Sequence, residues 1–251
     1  MKEQDHIAVF TAHPDDEGAV WATLYKHFEE ENRVSIIWST YGDKFIAPVK
    51  KYVHFLPLLI KATYSKKVRK ELSEHIKIIR KTEALRVAKL INAIPYFLEF
   101  NDMQVPDKTN QEAIHKVTKL IREIKPSIIL THWFREMHRD HKNTAALALK
   151  SYLLANKSDY MTETPPHKVR IFGFWDERGK GFRPNFYLNV SKQIDRIKEL
   201  GKCYESQQFR IVGRFAKFNA RRHSKKTPYK FVERFKIFGK KRLRKFGEFF
   251  P

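Results

Sequence analysis

His6-Ile-Ala-Val-Phe-Thr-Ala-His-Pro-Asp-Asp-Glu17 decides how the rest of the chain is read. Its first half, His6 to Thr11, is a short apolar run of buried-strand length. Its second half places one imidazole and three carboxylates in six residues, with Pro14 fixing the backbone between the imidazole and the first acids. His13 and Asp16 are three positions apart, so one tight turn can aim both at a single cation. Asp15 points elsewhere and is left as a base. A metal hydrolase needs ligands, an open coordination position and a carboxylate that takes a proton from water. This stretch lacks only the remaining ligand.

Working outward, residues 18–32 read as a helix with Val20, Leu24 and Phe28 near helical spacing, and residues 34–40 as a second buried strand. Strand, helix, strand in this order is the parallel crossover unit. Residues 67–91 make a strong helix, 96–100 a third strand, and 110–125 another helix stopped by Pro126. Residues 127–131 are a fourth strand, followed by a helix over 140–155, strands over 169–175 and 186–190, and a helix over 191–207. The pattern predicts a three-layer α/β/α sandwich on a mostly parallel, Rossmann-like sheet. Residues 1–208 form one domain, and residues 209–251 a basic, aromatic-rich extension packed on or appended to it. Between residues 44 and 67, an apolar stretch flanked by lysines reads as a broken helix, a lid or a patch at a membrane interface.

The fourth strand runs into His132-Trp-Phe-Arg-Glu-Met-His138-Arg-Asp140-His141, just as the first runs into the opening motif. In open parallel sheets, ligands lie outside the carboxyl ends of the strands, so both polar clusters arrive at one edge. Each cluster alone has a plainer reading as a surface turn, with Asp140 as a helix cap. His132, the first to leave the strand, competes with His138 and His141 as a ligand. Trp133 and Trp175 read as core or rim packing rather than as sugar platforms. Cys203 reads as buried and inert, and Glu17 as an acid favouring the start of the following helix.

Composition bounds the function. A 251-residue chain with 42% hydrophobic residues and nine Gly is folded, and a lone Cys203 excludes an internal disulfide and a thiolate metal cluster. No signal peptide and no membrane-length apolar run is read, so the expected location is cytoplasmic or peripheral to the inner face of a membrane. The formal net charge of +22 is concentrated at one end: Arg210 to Pro251 holds fifteen Lys and Arg against Glu233 and Glu248. Such a balance implies an anionic partner.

AHPDDE after an N-terminal strand, joined to a later His-x-Asp-His, resembles the PIG-L/LmbE-type zinc-dependent de-N-acetylases. Arg80-Lys-Thr-Glu83-Ala84, Lys125-Pro126 before a strand, Arg183 to Ser191 and Tyr204-Glu-Ser-Gln207 are similar to further segments of bacterial sugar deacetylases, including the bacillithiol-biosynthesis type. Phe231-Val-Glu-Arg-Phe235 echoes a C-terminal Tyr-Ala-Glu-x-Phe. The resemblance implies His13, Asp16 and His141 as ligands of Zn2+, with Fe2+ or another divalent ion as alternatives. It implies Asp15 as general base, and His138 as the imidazole that steadies the oxyanion and protonates the leaving amine. Asp140 would orient and charge His138, and Arg80 would contact substrate. Arg139, standing where Pro is usual, and Asp43 are further candidates for substrate contact, and Glu136 has no assigned role.

The expected substrate is an N-acetylglucosamine-type sugar or glycoconjugate, carrying phosphate or lipid-phosphate if the basic charge serves recognition. The basic C-terminal region could also contact an anionic membrane, and the chain could form a homo-oligomer. Two rivals stand against the hydrolase. A nucleic-acid-binding protein on an inactive scaffold would use the interleaved Arg, Lys and Phe, but no recognised module appears. A metal-dependent phosphoesterase would want more carboxylates for two metals.

Overall fold

The computed structural model describes residues 4–44, 66–161, 163–176, 181–207, 209–238 and 249–250. β1 (His6–Thr11) is buried along its whole length, and its alternate side chains serve two cores. Ile7 and Val9 face one hydrophobic cluster and Ala8 and Phe10 the other, as a period of two requires of a strand covered on both sides. The sheet continues through β2 (Arg33–Trp38), β3 (Ile94–Phe97), β4 (Ile128–His132), β5 (Ile171–Trp175), β6 (Phe186–Asn189), β7 (Val232–Phe238) and β8 (Phe249–Phe250). Its spatial order is β3-β2-β1-β4-β5-β7-β6-β8. The first five strands in that order are parallel, and β7, β6 and β8 pair antiparallel beyond them.

On one face lie α1 (Trp21–Glu29), α2 (Lys66–Leu90), α5 (Ile197–Cys203) and α6 (Phe209–His223), which contribute Leu24, Val87, Leu200 and Ala220 to the first core. On the other lie α3 (Gln111–Ile124) and α4 (Arg139–Ala155), with Val117, Ile121 and Leu147 in the second. This is the three-layer sandwich that the alternation of strands and helices predicts. Cys203 is buried against the Glu199 carbonyl. Trp133 and Trp175 are buried as well, Trp133 among Phe134, Phe174 and Phe182.

Several boundaries differ from the sequence reading. The helix expected over 18–32 opens as a 3-10 turn, Asp16–Val20, before α1. The helix expected over 191–207 is broken into α5 between two 3-10 turns. The C-terminal region supplies α6 and β7, and β7 lies between β5 and β6 with Val232, Phe235 and Ile237 in the core. From β7, Glu233 accepts hydrogen bonds from the amides of Ala22 (3.1 Å) and Thr23 (2.9 Å) at the start of α1. A carboxylate at these orphan N–H groups also meets the positive end of the helix. The apolar stretch between residues 44 and 67 and the basic run 239–248 lie outside the described residues. No described helix is long and apolar enough to cross a membrane.

Near the other end of α1, His27 is buried and its Nδ1 accepts from the Asn32 side chain at 3.2 Å. Burial, reinforced by Lys26, lowers its pKa to about 4. The unfolded ring titrates near 6.5, so stability is full above that pH and falls as pH drops from about 6.5 to about 4. A shift of this size corresponds to on the order of 3 kcal/mol. His27→Gln is expected to flatten that acid limb, which urea melts between about pH 7 and pH 4 would read. An unchanged limb would locate the titrating group elsewhere.

Candidate metal centre

The strand order reverses beside β1: β2 lies on one side of it and β4 on the other. The crevice outside the carboxyl ends of these two strands is the place where open α/β sheets bind ligands. Thr11 ends β1 and His132 ends β4, so the two motifs emerge side by side.

The first motif folds back on itself. The His13 amide donates to Asp16 Oδ2 at 2.7 Å, and His13 Nδ1 lies 3.2 Å from the same oxygen. Asp15, between them, holds φ +102°, a region that side-chain-bearing residues rarely occupy. Its amide donates to Glu17 Oε2 at 3.1 Å. Glu17 is fully buried and also accepts from Trp38 Nε1 at 3.1 Å and from the Tyr204 hydroxyl. Thus Glu17, expected as a helix-start acid, holds the strained turn from beneath.

Asp16 stands between two imidazoles: Oδ2 near His13 Nδ1, and Oδ1 3.3 Å from His141 Nε2. The far nitrogen of each ring faces another carboxylate. His13 Nε2 lies 3.2 Å from Asp102 Oδ1 and 3.3 Å from Asp140 Oδ2, and His141 Nδ1 lies 3.4 Å from Glu136 Oε2. Carboxylates behind the rings favour a proton on the far nitrogens, so His13 Nδ1 and His141 Nε2, beside Asp16, are the atoms that would turn to a cation on giving up their protons. Three overlapping sets bring one ligand atom each within 4.8 Å of one another: His13, His138 and His141; Asp16, His132 and His141; His13, Asp102 and Asp140. The expected triad His13, Asp16 and His141 draws on the first two.

Electrostatics match a cation site. Burial alone would lower the His13 pKa, but Asp102, Asp140 and Asp16 raise it well above the ordinary value. His141 is raised to about 10, Asp16 and Glu136 outweighing burial. Burial would raise Asp16 and Asp102, yet the imidazoles hold Asp16 well below its usual range and His13 holds Asp102 at about 2. Carboxylates this dense, with imidazoles among them, fit a divalent cation.

The remaining candidates fall into different places. Asp15 is raised to about 6 by burial, with Arg80 pulling it down from 3.6 Å. Arg80, read from the sequence as a substrate contact, is only 3% exposed. It donates to the carbonyls of Tyr41, at 3.0 Å, and Pro14. It braces the motif turn. Gly42, at φ +64°, permits this: a Cβ there would lie 2.8 Å from Arg80 Nε.

His138 is half-buried, its ring 4.9 Å from His13 and 4.8 Å from His141. Its Nδ1 accepts from the Asp140 amide at 3.3 Å. The Asp140 carboxylate favours the protonated His138 ring by its charge, while its hydrogen bonds go elsewhere. The amides of Met103 (2.7 Å) and Val105 (3.2 Å) turn it toward His13. His132 Nε2 accepts from the Ala12 amide at 3.1 Å, which occupies the lone pair a ligand would need. Burial lowers its pKa to about 4.

Asp43 accepts from Ser73 and ties its loop to α2, and Arg139 is exposed at the start of α4. Neither hydrogen-bonds to a residue of the cluster among the described residues. Asp102 was not anticipated; a carboxylate just past β3, at the same sheet edge, was the available signal. A cavity leads from Asp15 and Asp16 to Trp175, Asn219, His223 and Arg234, so the C-terminal elements wall the approach.

Fold and cluster together define an α/β sandwich protein with a candidate divalent-cation site at the strand-order reversal. More narrowly, residues 8–152, more than half of the chain, match the family model PIG-L, GlcNAc-PI de-N-acetylase, and the chain belongs to that family. Among solved structures it is similar to N,N'-diacetylchitobiose deacetylase from Pyrococcus horikoshii, at 17% identity over 95% of this chain and 85% of that one, TM-score 0.75. It is also similar to a conserved protein from Thermus thermophilus, at 19% identity over 93% and 94%, TM-score 0.74. A third relative is the 4-carboxy-2-hydroxymuconate hydratase GalB of Pseudomonas putida, at 14% identity over 94% and 96%, TM-score 0.74. At these identities the likeness establishes the fold. A hydratase on the same frame means that the reaction must be argued from the site.

Proposed function

We propose that this protein is a zinc-dependent de-N-acetylase acting on an N-acetylglucosamine-type sugar or glycoconjugate, giving acetate and a free amine. The observation that carries the reading is Asp16 standing between His13 and His141, with Asp15 beside it at the mouth of the cavity. When bound, zinc would supply the positive charge that polarises an acetamide carbonyl and makes water acidic near neutrality.

The side chains divide the remaining work. Asp15, whose proton affinity burial raises and which Arg80 holds, takes a proton from the attacking water and delivers it to the departing nitrogen. His138 accepts at Nδ1, so its neutral ring carries the proton on Nε2 and donates it as a hydrogen bond to the developing oxyanion. This division moves the protonation of the amine from His138, where the family resemblance puts it, to Asp15. The family match and the deacetylase relative support hydrolysis over hydration.

The test is release of acetate and free amine from plain, glycosidic, nucleotide-linked and lipid-linked N-acetylglucosamine by the zinc-loaded protein. Stoichiometric release from at least one member is expected. Tight zinc binding without release from any of them would move the substrate outside amino sugars.

A further inference from the structure

α6 has two unlike faces. Ala216, Asn219, Ala220 and His223 follow helical spacing and line the cavity that opens at Asp15 and Asp16. Arg214, Phe218, Arg221, Arg222 and, just past the helix, Lys225 lie on the outer side and are exposed. Phe218 is 63% exposed, one turn from Arg214 on one side and from Arg221 and Arg222 on the other. Between Phe209 and Lys230 there are eight Lys and Arg and no Asp or Glu. Lys217, on the flank, is ion-paired with Asp195 at 2.6 Å.

An exposed phenyl ring ringed by cations suits a planar anionic surface: the ring enters the headgroup layer while the long basic stems stay beside it. Single-stranded nucleic acid is instead followed by a charged groove with several stacking rings. The outer side of α6 holds one ring among its described exposed residues. We propose that the outer face of α6 docks on an anionic lipid bilayer, with Phe218 inserted and Arg214, Arg221, Arg222 and Lys225 against the headgroups. The cavity then lies across one helix, about 10 Å, from the lipid surface.

The experiment is co-sedimentation of the full chain with phosphatidylcholine vesicles, with and without phosphatidylglycerol. Binding is expected on the anionic vesicles alone, and to fall about tenfold or more as salt rises from about 0.1 M to about 0.5 M. Arg214→Glu, Arg221→Glu and Lys225→Glu together should weaken binding at least about tenfold, and Phe218→Ser about threefold with the salt response retained. Should the triple variant melt early, Phe218→Ser combined with Lys225→Glu carries the comparison. Equal binding to neutral vesicles, full binding by the folded variants, or capture by a random oligonucleotide in preference to anionic vesicles would overturn the assignment. The readout needs no catalysis, so it stands apart from the de-N-acetylase reading.

Discussion

Asp15→Asn is expected to lower amine release by about 10²- to 10⁴-fold while zinc still binds at the wild-type ratio. The substitution keeps the shape of the side chain and removes its ability to take a proton. Neither Asp16 nor the two imidazoles change, so metal content should stay constant while turnover falls. The strained φ of +102° is held by Glu17 and by the turn, and asparagine tolerates positive φ at least as well as aspartate. Loss of activity therefore cannot be ascribed to a collapsed loop if the melting temperature is retained. Wild-type turnover in this variant would remove Asp15 from the mechanism and transfer the base role to another carboxylate at the cluster.

His141→Ala is expected to abolish retained zinc, as measured by metal content after gel filtration, and to take activity with it. His141 supplies the imidazole across Asp16 from His13, and its other nitrogen is aimed by Glu136. Removing it leaves one ring and one carboxylate, too few for a stable site. Asp102→Asn offers a graded companion. It disturbs only the group behind His13 Nε2 and is expected to weaken zinc binding about 10- to 100-fold without abolishing it. If His141→Ala retained stoichiometric zinc while His132→Ala lost it, the ligand set would have to be redrawn around His132.

The parallel core and the location of the site were legible in the residues themselves. The six residues of β1 and the five of β4 are buried on both faces, and an apolar run of that kind is the mark of a strand covered by helices above and below. Each is followed at once by imidazoles and carboxylates, so the meeting of the two motifs follows from parallel pairing alone. Short-range spacing therefore determined the fold class and the candidate ligands.

Tertiary contact decided what each side chain does there. The family resemblance implies that Asp140 orients His138, yet two amides from the loop after β3 turn its carboxylate toward His13. Arg80 looks like a handle for substrate, but only the folded chain shows its guanidinium under Gly42, closed off by two carbonyls. Asp102 carries no motif, and Glu136 sits inside one with no role legible there, because a carboxylate behind an imidazole can come from any loop that reaches it. The basic C-terminal region reads as an extension packed on or appended to the domain, its strand masked by charge. β7 enters the sheet through Val232, Phe235 and Ile237, and only that placement lets Glu233 reach the start of α1. Local sequence carries periodicity and ligand type; which distant backbone amide or carboxylate completes a site is set by packing between elements far apart in the chain.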